Sequence, residues 1–157
     1  MFKISKNASV SLSLAISVLF FIVCIAGVFI LPKLTEMLIN IPDNIGNRGD
    51  ITEIGRLIVL FAAYCIVLTF IAADVLLFFI LIRVKGGKVF SSVTVALIRG
   101  VSWCCFLLCL FFGFLGYFFQ LSLLVSFLAV FLGICLRVVK NVIEEATEIK
   151  QENELTV

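Results

Sequence analysis

The sequence contains no histidine, and only 14% of its residues are charged. Histidine is the commonest general base and metal ligand, so its absence argues against serine-type and metal-dependent hydrolysis. An aspartyl enzyme acting inside a membrane would need two acids, whereas the long apolar stretches hold one, Asp74. We therefore expect a protein that is not an enzyme, with no catalytic residue, cofactor or metal site.

No cysteine lies in a polar segment, which argues against a disulfide in an exposed loop. The six cysteines all fall within apolar runs: Cys24, Cys65, Cys104, Cys105, Cys109 and Cys135. Three of them are near one another in the third apolar run, but no fourth ligand for a soft metal accompanies them. We interpret all six as small core residues.

What the chain has in abundance is apolar residues, which make up 63% of it against about 45–50% in soluble domains. Its mean hydropathy is +1.28, and it contains 17 phenylalanines. A hydrocarbon core of roughly 30 Å needs about 20 apolar residues per helix, so four spans leave only short connections. The sequence predicts a single all-α, polytopic membrane domain over residues 1–157, embedded in the lipid bilayer.

Prolines are scarce, and both stand near the end of the first apolar run. This run covers about residues 10–31, whereas the apolar region of a cleaved signal peptide has roughly 7–15 residues and is followed by a small-residue cleavage site, which is lacking here. The run therefore predicts a retained first span that ends at Pro32. Leu34, Leu38 and Ile41 then share one helical face, which predicts a short surface helix ending at Pro42.

The second span is predicted over residues 57–82, opened by a capping box of Asp50 and Glu53. Asp74 lies nine residues before Arg83, about 13 Å inside the span, where an acid is by default a functional-site hypothesis. We expect it to pair with Arg99, at the start of the third span, or with a hydrogen-bond donor of a neighbouring helix. A structural role and a proton or ion relay both remain open.

Residues 101–136 carry no charge. Together with their apolar flanks they would form a single helix about 60 Å long, which is twice the thickness of the hydrocarbon core. The sequence therefore predicts spans over residues 97–117 and 120–139, with Ser91 as an N-cap and a turn at residues 116–120. Stripes of small residues predict close helix packing. These are Ser13, Ser17, Cys24 and Gly27 in the first span, Ser102, Cys105, Cys109 and Gly116 in the third, and Ser122, Ser126, Ala129 and Gly133 in the fourth.

The cations are distributed unevenly. Nine of the twelve Lys and Arg residues lie at the amino end, in the segment 83–99 or after residue 136, and three lie between residues 33 and 56. By the positive-inside rule this predicts two helical hairpins with both termini in the cytoplasm.

The last segment, residues 140–157, is predicted to be an amphipathic cytoplasmic tail. Its candidate docking residues are Ile143, Ile149, Glu152, Leu155 and Val157. Its acids disfavour direct binding to nucleic acid or anionic lipid and favour a basic partner, such as a cytoplasmic DNA-binding regulator. The alternative is that the tail folds back on Lys85 and Lys88.

Residues 83–91 (RVKGGKVFS), 97–101 (LIRGV) and 148–157 (EIKQENELTV) resemble the bacterial membrane family catalogued as domain of unknown function 2975. The resemblance implies a bacterial inner-membrane protein whose relatives are often encoded beside a small helix-turn-helix regulator. The leading hypothesis is a regulatory or interaction protein that presents its tail to such a partner. The alternative is a small transporter, channel component or peptide-immunity protein built around Asp74, and self-association is compatible with either.

Overall fold

The computed structural model describes residues 6–40, 52–87 and 89–155, and the side chains of residues 9–40, 52–87 and 89–152. These residues form four helices, each long and apolar enough to cross a membrane, which confirms the all-α class and supports a multi-pass membrane protein. The helices are α1 (Lys6–Ile39), α2 (Glu53–Lys85), α3 (Ser92–Leu115) and α4 (Gln120–Leu155).

The first helix does not end at Pro32 as predicted but continues to Ile39. Proline removes only one of the hydrogen bonds of a helix, and α1 continues through it. Thr35 lies one turn further on and donates its hydroxyl to the carbonyl oxygen of Leu31 at 2.8 Å. Leu34 and Leu38 therefore belong to α1 rather than to a separate surface helix, and Ile41 lies outside the described residues.

Two hydroxyl side chains cap the starts of the central helices. Thr52, not Asp50, is the N-cap of α2, and its side chain accepts the N–H of Gly55 at 3.3 Å. Asp50 itself lies outside the described residues. Ser91 caps α3 as predicted, accepting the N–H of Thr94 at 3.3 Å. The predicted turn between the third and fourth spans is also confirmed, because α3 ends at Leu115 and α4 begins at Gln120.

The fourth helix includes both the predicted span, residues 120–139, and most of the predicted tail. It is one helix of 36 residues, about 54 Å long, so the predicted tail is its direct continuation. The helix continues beyond the apolar residues because the tail is rich in Glu, which is a good helix former.

The helices pack in chain order: α1 on α2, α2 on α3, and α3 on α4. Among the described residues no other pair of helices packs together, so the four form an open row with α1 and α4 at its edges. Phenylalanines join the first three helices edge to face, with ring centroids 6.2 Å apart for Phe20 and Phe70 and 6.5 Å apart for Phe70 and Phe112. The core of the row contains Val59, Ala62, Ile66, Leu108, Leu115 and Ala129.

The predicted small-residue stripes bring α3 and α4 together. Ser102 donates its hydroxyl to the carbonyl oxygen of Gly133 at 2.9 Å, and Ser126 donates to the carbonyl oxygen of Cys109 at 2.8 Å. A Cβ atom at Gly133 would lie only 3.3 Å from the Cβ of Cys105. The stripe of α1 contributes less, because Ser13 is exposed and no atom lies within 4 Å of a Cβ built at Gly27.

Candidate polar site between α1 and α2

Asp74 lies on the face of α2 that packs against α1, and its side chain is buried, with 6% of its surface exposed. The hydroxyl of Ser17, itself only 4% exposed, donates a hydrogen bond to Asp74 Oδ1 at 2.8 Å. Of the two kinds of partner expected for Asp74, the structure has the hydrogen-bond donor of a neighbouring helix.

Arg99 is not that partner. Its exposed side chain extends from α3 towards α4, where its Nη2 lies 3.3 Å from Glu144 Oε1. Lys140, one turn before Glu144, pairs with the other carboxylate oxygen. Asp74 and Arg99 therefore belong to different helix interfaces, and the structure does not bring them together.

Two grooves meet at the Ser17–Asp74 hydrogen bond, and both residues line each of them. The first groove has a volume of about 240 Å³ and is otherwise lined by Val18, Phe21, Val75, Phe78 and Phe79. The second, about 440 Å³, is lined by Ser13 and by apolar residues that include Phe20, Phe70, Leu77 and Val101. The carboxylate thus stands in an apolar and largely aromatic surrounding.

No cation of the protein neutralises this carboxylate within the part of the chain that the structure describes. The ion pairs there join Arg56 to Glu53 and join Glu144 to Arg99 and Lys140. An ionised carboxylate in an apolar site is costly, so it is stabilised by gaining a proton, a cation or further hydrogen-bond donors. Ser17 is the one hydrogen-bond donor that the described residues offer to this carboxyl group.

Sequence reasoning found Asp74 but missed Ser17 as its partner. The positions of the two residues along their spans could have indicated the pairing. Ser17 lies about 21 Å from the predicted end of the first span, and Asp74 lies about 25 Å from the predicted start of the second span. Neighbouring helices that run in opposite directions place such residues at similar heights. Ser17 was instead interpreted only as one member of a packing stripe.

The predicted docking residues of the tail separate into two groups. Ile143 is half-buried, and the next turn carries Thr147, which is buried and donates its hydroxyl to the carbonyl oxygen of Ile143 at 2.6 Å. Ile149 and Glu152 are exposed. The side chain of Leu155, the last residue of α4, and the whole of Val157 lie outside the described side chains.

Five exposed residues of the tail share one side of the helix and form a stripe, which we call the tail surface: Val142, Glu145, Glu148, Ile149 and Glu152. Asn141, Lys150 and Gln151 are exposed as well. Val142 and Ile149 expose 60% and 54% of their surface. They lie two turns apart on one side of α4, and Glu145 stands between them. The tail surface thus combines two apolar anchors with acids.

Comparison of the chain with protein-family models, with curated proteins and with solved structures gives no match. The resemblance to domain of unknown function 2975 therefore stays a prediction.

Proposed function

We propose that this chain is a non-enzymatic membrane protein whose tail surface binds a soluble, basic partner protein, such as a DNA-binding regulator. The length of α4 is the observation that carries the proposal. At about 54 Å this helix exceeds a hydrocarbon core of roughly 30 Å by about 24 Å, enough to carry its last turns into water. Those turns expose Val142 and Ile149, whose apolar surface gains stability when a partner covers it.

The tail is held in its helical form before any partner arrives. Isolated helices of this length are marginal in water, but this one continues α4, and Glu144 ties it to Arg99 of α3. Lys140 and the buried Thr147 reinforce the same side of the helix. A partner therefore meets a surface that is already ordered, which lowers the entropy lost on binding.

The charge of the tail surface selects the chemistry of the partner. Glu145, Glu148 and Glu152 give it a negative potential, which repels anionic lipid and nucleic acid. The same potential attracts a positively charged groove and speeds its association. Val142 and Ile149 supply the two apolar anchors with which an amphipathic helix occupies such a groove.

The placement of the tail in the cytoplasm is part of the proposal. It is supported by the concentration of nine cations at the amino end, in the segment 83–99 and after residue 136, against three between residues 33 and 56. Four spans in two hairpins satisfy this asymmetry with both termini inside. A bacterial inner membrane is the location that the family resemblance implies.

The test uses the full-length protein in its native membrane, with a photoreactive amino acid at position 149 and the variant Val142→Glu. We expect a crosslink from position 149 to a DNA-binding protein with a basic surface. Val142→Glu should abolish this crosslink and change the expression of the genes that the DNA-binding protein controls. Gln151→Glu is the matched control, because it adds the same charge to the tail and keeps both apolar anchors. A crosslink that survives Val142→Glu, or one only to lipid, contradicts the proposal.

A further inference from the structure

We infer that the two grooves on either side of Asp74 form one binding site for a lipophilic organic monocation. This Asp74 site consists of Ser17, Asp74 and the groove phenylalanines Phe20, Phe21, Phe70, Phe78 and Phe79. It lies between α1 and α2, at the opposite edge of the helix row from the tail surface, and does not depend on docking of the tail.

The charge of the ligand follows from Asp74. Its carboxylate is buried and accepts the hydroxyl of Ser17, and no lysine or arginine pairs with it in the described part of the chain. A carboxylate can accept about four hydrogen bonds or ion contacts, and among the described residues Ser17 occupies one of them. One acid in the site favours one positive charge on the ligand.

The body of the ligand follows from the lining. Five phenylalanines line the two grooves, and aromatic faces attract organic cations while their area excludes water. Hydrated metal ions are a poor match, because Ca²⁺ and Mg²⁺ prefer about six or more oxygen ligands and the grooves offer one carboxylate and the hydroxyls of Ser13 and Ser17. The larger groove, at about 440 Å³, falls in the usual range for small-molecule sites.

The direction of entry follows from the fold. The helices form an open row in which α1 packs only against α2 among the described residues, and both grooves lie beside this edge helix, with Val101 of α3 closing the larger one. Ile16 and Phe79, on the rims of the two grooves, expose 57% and 52% of their surface. A lipophilic cation that has partitioned into the bilayer can therefore reach Asp74 sideways.

The experiment measures equilibrium binding of radiolabelled tetraphenylphosphonium to the full-length protein in lipid nanodiscs. We expect saturable binding of one cation per chain, weakened roughly tenfold or more by Asp74→Asn and kept within about threefold by Asp74→Glu. Phe78→Ala should weaken binding, whereas its matched control Phe61→Ala, an exposed phenylalanine of the same helix outside both grooves, should leave it unchanged. The size-matched anion tetraphenylborate, measured separately as the labelled ligand, should not bind saturably.

A second measurement keeps the inference testable if Asp74→Asn does not fold. A photoreactive triarylphosphonium is crosslinked to the unaltered chain, and labelled peptides are identified with and without excess tetraphenylphosphonium. Labelling within residues 13–21 and 70–81 that excess cation removes supports the site. Three results would overturn the inference: labelling spread over all four helices, binding that does not saturate, or equal binding by Asp74→Asn and the unaltered chain. Each would show that the cation only partitions into the lipid.

Discussion

The hydrogen bond from Ser17 to Asp74 joins α1 to α2, and a double-mutant cycle can measure its strength. Both partners are buried and the oxygen atoms are 2.8 Å apart, a normal length for a hydroxyl donating to a carboxylate. In water-soluble proteins a bond to a charged group contributes about 1.5–3 kcal/mol, but hydrogen bonds between membrane helices average about 0.6 and reach about 1.7 kcal/mol. We expect a coupling energy of about 0.6–1.7 kcal/mol.

The cycle consists of Ser17→Ala, Asp74→Ala and the double variant, unfolded with increasing dodecyl sulfate in mixed micelles. Ser17→Ala alone should lower the free energy of unfolding by about the coupling energy, because the buried carboxylate loses its donor. Asp74→Ala alone should be neutral or stabilising, since it removes an acid whose burial costs a few kcal/mol. In the Asp74→Ala background, Ser17→Ala should have almost no further effect.

Two controls accompany the cycle. Ser13→Ala, an exposed position of the same helix, should change stability by less than about 0.5 kcal/mol. Arg99→Gln should add to Asp74→Ala within about 0.5 kcal/mol, because the two side chains are in different interfaces. If Ser17→Ala has the same effect with and without Asp74, or if Arg99 rather than Ser17 couples to Asp74, the described pairing is wrong.

Two further predictions test the close packing of the helices and their orientation. Gly116→Ala should destabilise the protein by about 1–3 kcal/mol, because the new Cβ would clash with the side chain of Leu123. Gly27→Ala meets no neighbouring atom and should be neutral or stabilising, and thermal unfolding in detergent checks both. With the native cysteines removed, cysteine probes at Asn47 and Gln120 should react with a membrane-impermeant thiol reagent in intact cells, while a probe at Gly87 should not, and labelling at Gly87 would refute the topology.

The positions of the helices were predictable because apolar runs and capping residues are local signals. Ser91 caps α3 since its side chain reaches an N–H only three residues away, and the turn before Gln120 follows from the length of an uncharged run. Pro32 was misleading for a related reason. Proline is a local signal for the end of a helix because it removes one hydrogen bond, but the neighbouring turns can hold the helix together through it, as they do in α1.

The partner of Asp74 was not predictable in the same way, because a sequence gives the depth of a residue along a span but not the direction in which it faces a neighbour. Asp74 faces α1 and Arg99 faces α4, although both are polar residues near the middle of the chain. The tail illustrates the same limit, since Ile143 and Ile149 share an apolar pattern, yet one is half-buried and the other exposed. Which part of an apolar stripe a helix buries depends on where its neighbour ends.

The open row of helices places strict conditions on any communication between the Asp74 site and the tail surface. A change at Asp74 reaches α4 only through α2 and α3, by contacts such as Phe70 with Phe112 and Ser102 with Gly133. Coupling through these contacts requires a helix interface that has two arrangements of similar free energy. A cation would favour one arrangement by binding to it more tightly. If tetraphenylphosphonium leaves the crosslink from position 149 unchanged, the two surfaces act independently. If it alters the crosslink and Asp74→Asn abolishes the effect, the chain links a membrane-borne cation to a cytoplasmic partner.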